Sequence, residues 1–173
     1  MAKLEVKIYG SPILRRKTKA LEQLPENFDQ LVADMYETMT AEKGIGLSAN
    51  QVGKDMRFFI VDFSLYDEQY GRQIFINPEI VEMDGLTIDE EGCLSLPGIN
   101  EKVRRADRIR VKYKDENFND RDEEYHEYLS RIIQHEYDHL NGTVFTDKIS
   151  ALKRSFIKNK LAALESEAQE ETA

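Results

Sequence analysis

The stretch His135-Glu136-Tyr137-Asp138-His139 constrains this chain more than any other part of it. On a helix, residues four apart lie one turn from each other on the same face, so both imidazoles can reach a single metal ion. Glu136 stands beside them, in reach of a water in the ion's shell. Two ligands do not complete a metal site. The fold must therefore bring another donor from elsewhere in the sequence against this helix.

Downstream candidates fit poorly. In the extended pattern HExxHxxGxxH, Gly142 falls at the glycine position, but the final histidine position is Phe145. A second metalloprotease class takes a glutamate from a later helix. After Asp147 the next acidic residue is Glu165, inside the expected terminal helix. Upstream, Glu90-Glu91-Gly92-Cys93-Leu94-Ser95-Leu96-Pro97 holds the only cysteine. A lone intracellular cysteine is most often an inert buried residue. As a thiolate beside two imidazoles, Cys93 would instead make a three-ligand site with one open position, the catalytic arrangement. A third element, the glycine-rich run from Gly44 to Gly53, lacks the lysine of a nucleotide-binding P-loop. It reads either as a tight turn between helix and strand or as backbone close to a substrate, with Gln51 offering a neutral amide donor. Asp138 or a carbonyl is left open as the acceptor behind the histidines.

With 173 residues, 40% hydrophobic and 33% charged, the chain fits one compact domain with a real core. The net charge of −9 argues against a general or sequence-specific nucleic-acid binder. No apolar run is long enough for a membrane span, and neither an export signal nor a disulfide is expected, which points to the cytoplasm. Apolar residues Phe28, Leu31, Val32, Met35 and Met39 predict a helix over 27–40, followed by a loop over 41–55. Short strands are expected over 57–62, 73–77, 80–83 and 109–113, with turns at Asn77-Pro78 and Asp84-Gly85. A helix is expected over 122–140, capped by Asn141-Gly142, and a last one from Ser150 to about Glu167. The fold class is α+β: a single domain, residues 1–167, of short antiparallel strands around the HExxH helix, with a C-terminal helix and an acidic tail at 168–173.

Together, Gly44 to Gln51, Glu91 to Ser95 and Gln134 to Gly142 resemble, in order and spacing, the motifs of the peptide deformylase family. The resemblance covers nearly the whole chain, from Ile8-Tyr9-Gly10-Ser11-Pro12 onward. It implies a metal-dependent hydrolase that removes the N-formyl group from N-formylmethionyl nascent peptides and releases formate. By that resemblance Cys93, His135 and His139 hold one divalent ion, iron(II) in the cell, with nickel or cobalt as active replacements and zinc usually a poorer one. Glu136 is implied as general acid–base, and the Gln51 amide and Leu94 N–H as oxyanion donors. Ile45, Tyr128 and Ile132 are implied around the methionine side chain, Gly44 and Gly46 beside the peptide backbone. The competing readings are an HExxH metallopeptidase and an inactive homologue.

Two departures from the family pattern stand out: Ser48, where alanine is usual, and Arg131, one turn before His135, where family members often carry an apolar residue. Arg131 either reaches the substrate cleft or covers apolar surface with its stem while its charge reaches water. Glu91 either pairs with Arg105 and steadies the cysteine loop or is a solvated surface charge. His126 is expected at the surface. Lys153, Arg154, Lys158 and Lys160 cluster on the terminal helix, which either docks on the ribosome, as in some family members, or packs through Leu152, Phe156 and Leu161.

Overall fold

Helix α1 (Phe28–Ala41) forms where apolar residues recur at helical spacing, and Phe28, Val32, Met35, Tyr36 and Met39 are all buried along one face. The structure, a computed structural model, describes residues 2–172. After α1, Lys43 adopts a φ of 59° and turns the chain into β1 (Gly46–Ser48) and a 3-10 turn over Ala49–Val52. The expected loop over 41–55 is thus partly ordered structure. β1, β2 (Phe58–Asp62), β3 (Arg72–Asp84), β6 (Arg108–Lys114) and β7 (Asp120–His126) form one sheet in the order β1-β2-β3-β6-β7, antiparallel at every pairing. β4 (Thr87–Glu91) and β5 (Glu101–Arg105) pair separately as a two-stranded sheet.

Strand β2 explains how the layers stack. Its side chains alternate, so Phe58 and Ile60 join the cluster around α1, while Phe59 and Val61 join the cluster containing Ile132, Ile133 and Leu140 of α2 (Glu127–Leu140). Both faces are covered, which is why the strand reads as an uninterrupted apolar run. Each such fully buried side chain contributes about 1.5–3 kcal/mol. A third cluster joins Ile8, Leu96, Val103 and Phe145 to Ile157, Leu161, Leu164 and Ala168 near the C-terminus, with Cys93 packed against it.

Four sequence expectations need correction. The Asn77-Pro78 turn is an irregularity inside one long strand: the β3–β6 register shifts between Ile76 and Glu79, and Asn77 adopts a φ of 50°. Proline has no N–H to give the ladder, which suits this break. Second, the helix expected from Asp122 begins only at Glu127; the preceding residues are strand β7. Third, the last helix breaks at Ile157 into α3 (Ala151–Phe156) and α4 (Lys158–Thr172), so it runs past Glu167, and Ala168 is buried. Fourth, Leu152 and Phe156 do not pack: they are 68% and 76% exposed.

Candidate metal centre

The helix that carries the histidines is fixed along its length. The Glu127 N–H donates to the Asp107 carbonyl at 2.7 Å, and Gln134 brackets Ala106, donating to its carbonyl at 2.8 Å and accepting from its N–H at 3.1 Å. At the other end the Gly142 N–H donates to the His139 carbonyl at 3.1 Å with a φ of 79°, as the Asn141-Gly142 cap predicts. Arg57 donates to the Leu140 carbonyl at 3.1 Å and to Asn141 Oδ1 at 2.8 Å. Cys93 arrives from the other side, on the turn that follows β4, closed by the Leu96 N–H donating to the Cys93 carbonyl at 3.0 Å.

These two segments bring Cys93, His135 and His139 together, with one ligand atom of each within 4.8 Å of the others. Cys93 Sγ lies 3.2 Å from His139 Nε2. His135 Nδ1 contacts Glu91 Oε1 at 2.8 Å, which leaves Nε2 for the site. Glu91 is therefore the acceptor behind His135, and Asp138 instead takes Arg105 at 2.5 Å. Arg105 meets Glu91 with two bonds of 2.9 Å, so these are a buried pair, not solvated charges. Burial alone would raise the Glu91 carboxyl, but the bonds from Arg105 and His135 outweigh it and hold it far below the usual carboxylate range. His139 is held well below the usual histidine range by burial and by its neighbour His135, hence neutral.

Glu136 is 4% exposed, and burial lifts its carboxyl to about 7. Its Oε1 and His139 Nδ1 are the buried side-chain atoms without a hydrogen-bond partner among the described residues. The donor set, one soft thiolate and two imidazoles with Nε2 atoms turned inward, fits a single divalent transition-metal ion. Gln51 closes the site from a third direction: its Nε2 donates to Ser95 Oγ at 2.9 Å and lies 3.5 Å from Cys93 Sγ.

A cleft of about 270 Å³ opens above these groups. Gly44, Ile45 and Gly46 form one wall, Tyr128, Arg131 and Ile132 another, and Glu91 to Leu94 the floor with His135, Glu136 and Gln51. Every residue expected at the site from the sequence lines this cleft except His139, which is fully buried beneath it. Arg131 departs from the reading in which its charge reaches water. It is 3% exposed, and its guanidinium donates to Glu91 at 2.5 Å, to the Val103 carbonyl at 2.8 Å and to Thr87 Oγ1 at 2.9 Å. Its charge is matched by Glu91. His126 is exposed, as expected.

The sequence reading did not single out Asn50, Ser95, Thr87 or Tyr66, and it noted Ser48 only as a departure. Tyr66, in the loop after β2, stacks on Tyr128 with ring centroids 4.4 Å apart. Ser95 was visible inside the Cys93 motif; Tyr66 left no sequence signal, since its partner comes from another element.

A sequence model of the family described as "Polypeptide deformylase" matches residues 3–155. A peptide deformylase of Chromobacterium violaceum is 45% identical over 161 residues, covering 93% of this chain and 95% of the relative. Among solved structures, the peptide deformylase of Thermus thermophilus superposes with a TM-score of 0.87 at 37% identity, covering 95% of this chain and 99% of that one. A plant peptide deformylase gives a TM-score of 0.90 at 34% identity, with 98% and 92% covered.

Proposed function

The chain belongs to the polypeptide deformylase family, and we propose that it hydrolyses the N-formyl group of formyl-methionine at the start of new polypeptides, releasing formate. The observation that carries this reading is the convergence of Cys93, His135 and His139 beneath a cleft that Glu136 and Gln51 also face. One divalent ion held by those three residues would supply Lewis acidity, lowering the pKa of a water from about 15.7 towards ~7. Iron(II) is the ion we assign in the cell, with nickel, cobalt or zinc able to replace it, since thiolate and imidazole suit all four.

The rest is work for the side chains. Glu136, with a carboxyl near 7, takes a proton from the attacking water and passes it to the amine nitrogen as the formyl carbon–nitrogen bond breaks. The Gln51 amide and the Leu94 backbone N–H receive the negative charge that develops on the formyl oxygen. Losing one such donor typically costs about 10²–10³ in rate. Glu91 keeps the His135 ring in place, and Arg131 braces Glu91 from behind. Ile45, Tyr128, Ile132 and Leu94 supply apolar surface for the methionine side chain. Gly44 and Gly46 let an extended peptide backbone run close to the wall.

No helix among the described residues is long and apolar enough to cross a membrane. We place the protein in the cytoplasm, acting on nascent chains, with α3 and the start of α4 as a ribosome-facing surface. The exposure of Lys153, Lys158 and Lys160 beside Leu152 and Phe156 supports that surface. Anaerobic purification, metal analysis and measurement of formate released from a formyl-methionyl peptide test the central reading. Cleavage of unformylated peptides without formate release would favour the metallopeptidase instead, and a metal-loaded protein that turns over neither substrate would be an inactive homologue.

A further inference from the structure

We propose that Ser48 and Asn50 are positioning residues for Gln51: their side chains hold the amide with its nitrogen toward the cysteine turn and tie it to the helix bearing His139. The proposal rests on the oxyanion role given to Gln51 above.

Gln51 Oε1 accepts from the Ser48 N–H and lies within hydrogen-bond reach of the Ser48 hydroxyl, both at 3.0 Å. The same hydroxyl lies 2.7 Å from Asn50 Oδ1, and Asn50 Nδ2 donates to the His139 carbonyl at 2.7 Å. Ser48 and Asn50 have no exposed surface and Gln51 has 1%. A primary amide has nearly the same shape when its two ends are exchanged. Exchanged, Gln51 would aim a carbonyl oxygen at developing negative charge, the opposite of what the reaction needs.

What chooses the orientation is first the Ser48 N–H, which can only donate, whereas the hydroxyl can donate or accept. In the exchanged form the Gln51 NH₂ would face the Ser48 N–H, donor against donor in a buried place, and such a mismatch is costly. Any residue at position 48 offers the N–H; only the hydroxyl is particular to serine. It carries one proton, so its contacts with Gln51 and Asn50 alternate. Asn50 donates from Nδ2 to the His139 carbonyl, which turns its Oδ1 onto the Ser48 hydroxyl and fixes the position of that hydroxyl beside Gln51. The run from the His139 carbonyl through Asn50, Ser48 and Gln51 to Ser95 spans both ligand-bearing segments. The amide donor is thereby held in register with the metal ligands. This is more than satisfying buried polar atoms, since it predicts coupling to Gln51 alone.

The test uses Ser48→Ala, Asn50→Ala and Gln51→Leu, singly and with Ser48→Ala and Gln51→Leu combined, in zinc-loaded protein. The Gln51 side-chain amide resonance is identified in an ¹⁵N spectrum by its loss in Gln51→Leu. In the parent it should show two distinct protons in slow exchange with solvent; in Ser48→Ala and Asn50→Ala the exchange should quicken. For a formyl-methionyl peptide, Ser48→Ala should lower kcat roughly 3- to 10-fold, the range of one buried hydrogen bond, with KM nearly unchanged. In the Gln51→Leu background the same change should cost nothing further. An unchanged amide resonance in both alanine variants, or an equal loss with and without Gln51, overturns the proposal. Should Ser48→Ala fold poorly, Ser48→Cys, slightly larger and a weaker donor, must show the same coupling. A Gln51→Leu variant at the parental rate overturns the role of Gln51 itself; a slow Gln51→Leu beside an unimpaired Ser48→Ala overturns only the positioning.

Discussion

Gly46 leaves room for no side chain opposite Glu136: a Cβ at position 46 would sit 2.8 Å from Glu136 Oε2 and 3.0 Å from its Cγ and Cδ. The carboxylate oxygen would have to shift and the two carbons behind it would be crowded, and Glu136 is buried with little space to retreat. Gly46→Ala is therefore expected to keep its metal but lose turnover by on the order of 10²-fold, because small misplacements of a reacting group are that costly. A formate assay that finds near-parental kcat would show that Glu136 can step aside.

Glu136→Gln should separate binding from chemistry, retaining metal while turnover is largely abolished. The same variant makes a stability prediction for the metal-free protein. The Glu136 carboxyl titrates at about 7 in the fold and at about 4.3 in an unfolded chain. Since its folded pKa is raised, the unfolded state loses its proton first, and the fold is penalised as pH climbs from about 4.3 to about 7. Glutamine carries no such penalty. Metal-free Glu136→Gln should be more stable than the parent above pH 7 by as much as about 4 kcal/mol. The gap should close as pH falls towards about 4. Urea unfolding at several pH values decides it, and a gap independent of pH would refute the titration.

Cys93→Ala is expected to leave the protein folded but to lose bound metal and formate release together. Metal analysis beside an activity assay reads both, and normal content of the ion with full activity would make Cys93 a packed thiol and nothing more.

Arg131→Leu removes one of the two guanidinium partners of Glu91 and leaves the Val103 carbonyl and Thr87 unmet. Breaking a buried pair in this way costs about 3–5 kcal/mol, and the remaining Arg105 should hold the loss near the lower figure. Relative kcat/KM across acidic and basic formyl-peptides should stay unchanged, since the charge already belongs to Glu91. An altered charge preference with undiminished stability would return Arg131 to direct substrate contact.

Ribosome association, if it runs through α3 and α4, should respond to Lys153, Lys158 and Lys160 changed together to Gln. Arg154 is left in place because it donates to the Thr146 and Asp147 carbonyls. Co-sedimentation at low salt should weaken and the salt slope should flatten, while hydrolysis of a free formyl-dipeptide stays the same. Equal co-sedimentation of variant and parent rejects this surface.

The contrast between α2 and β7 shows what the sequence could reveal. His135, Glu136 and His139 are legible because helical spacing alone puts them on one face, and Cys93 because it is the only thiol. Strand β7 reads Asp-Arg-Asp-Glu-Glu-Tyr-His, and among these only Tyr125 is buried. It is an edge strand held by cross-strand charges such as Arg110 to Asp122 at 2.7 Å and Arg108 to Glu124. Without apolar alternation it carries no period-2 signal, so its glutamates merged with the helix that follows. The break of the last helix at Ile157 was hidden for the reverse reason: Leu152 and Phe156 keep the apolar period but face outward. The Glu91 network, likewise, joins residues from β4, β5 and α2, a meeting that only the fold defines.

The N-terminal segment has a bearing on the site that its distance in sequence conceals. The Lys7 N–H donates to the Gln51 carbonyl at 2.6 Å and the Tyr9 N–H to the Ser95 carbonyl at 2.8 Å. Two alternate peptide groups of one segment thus lace the glutamine turn to the cysteine turn. Peeling this lace off, by a protease nick ahead of Gly10 or by a bulky fusion that strains it, would let both turns breathe at once. Such a cut would loosen the centre while removing no ligand, no base and no pocket residue, so the spacing of the two turns depends on a segment that takes no part in the chemistry.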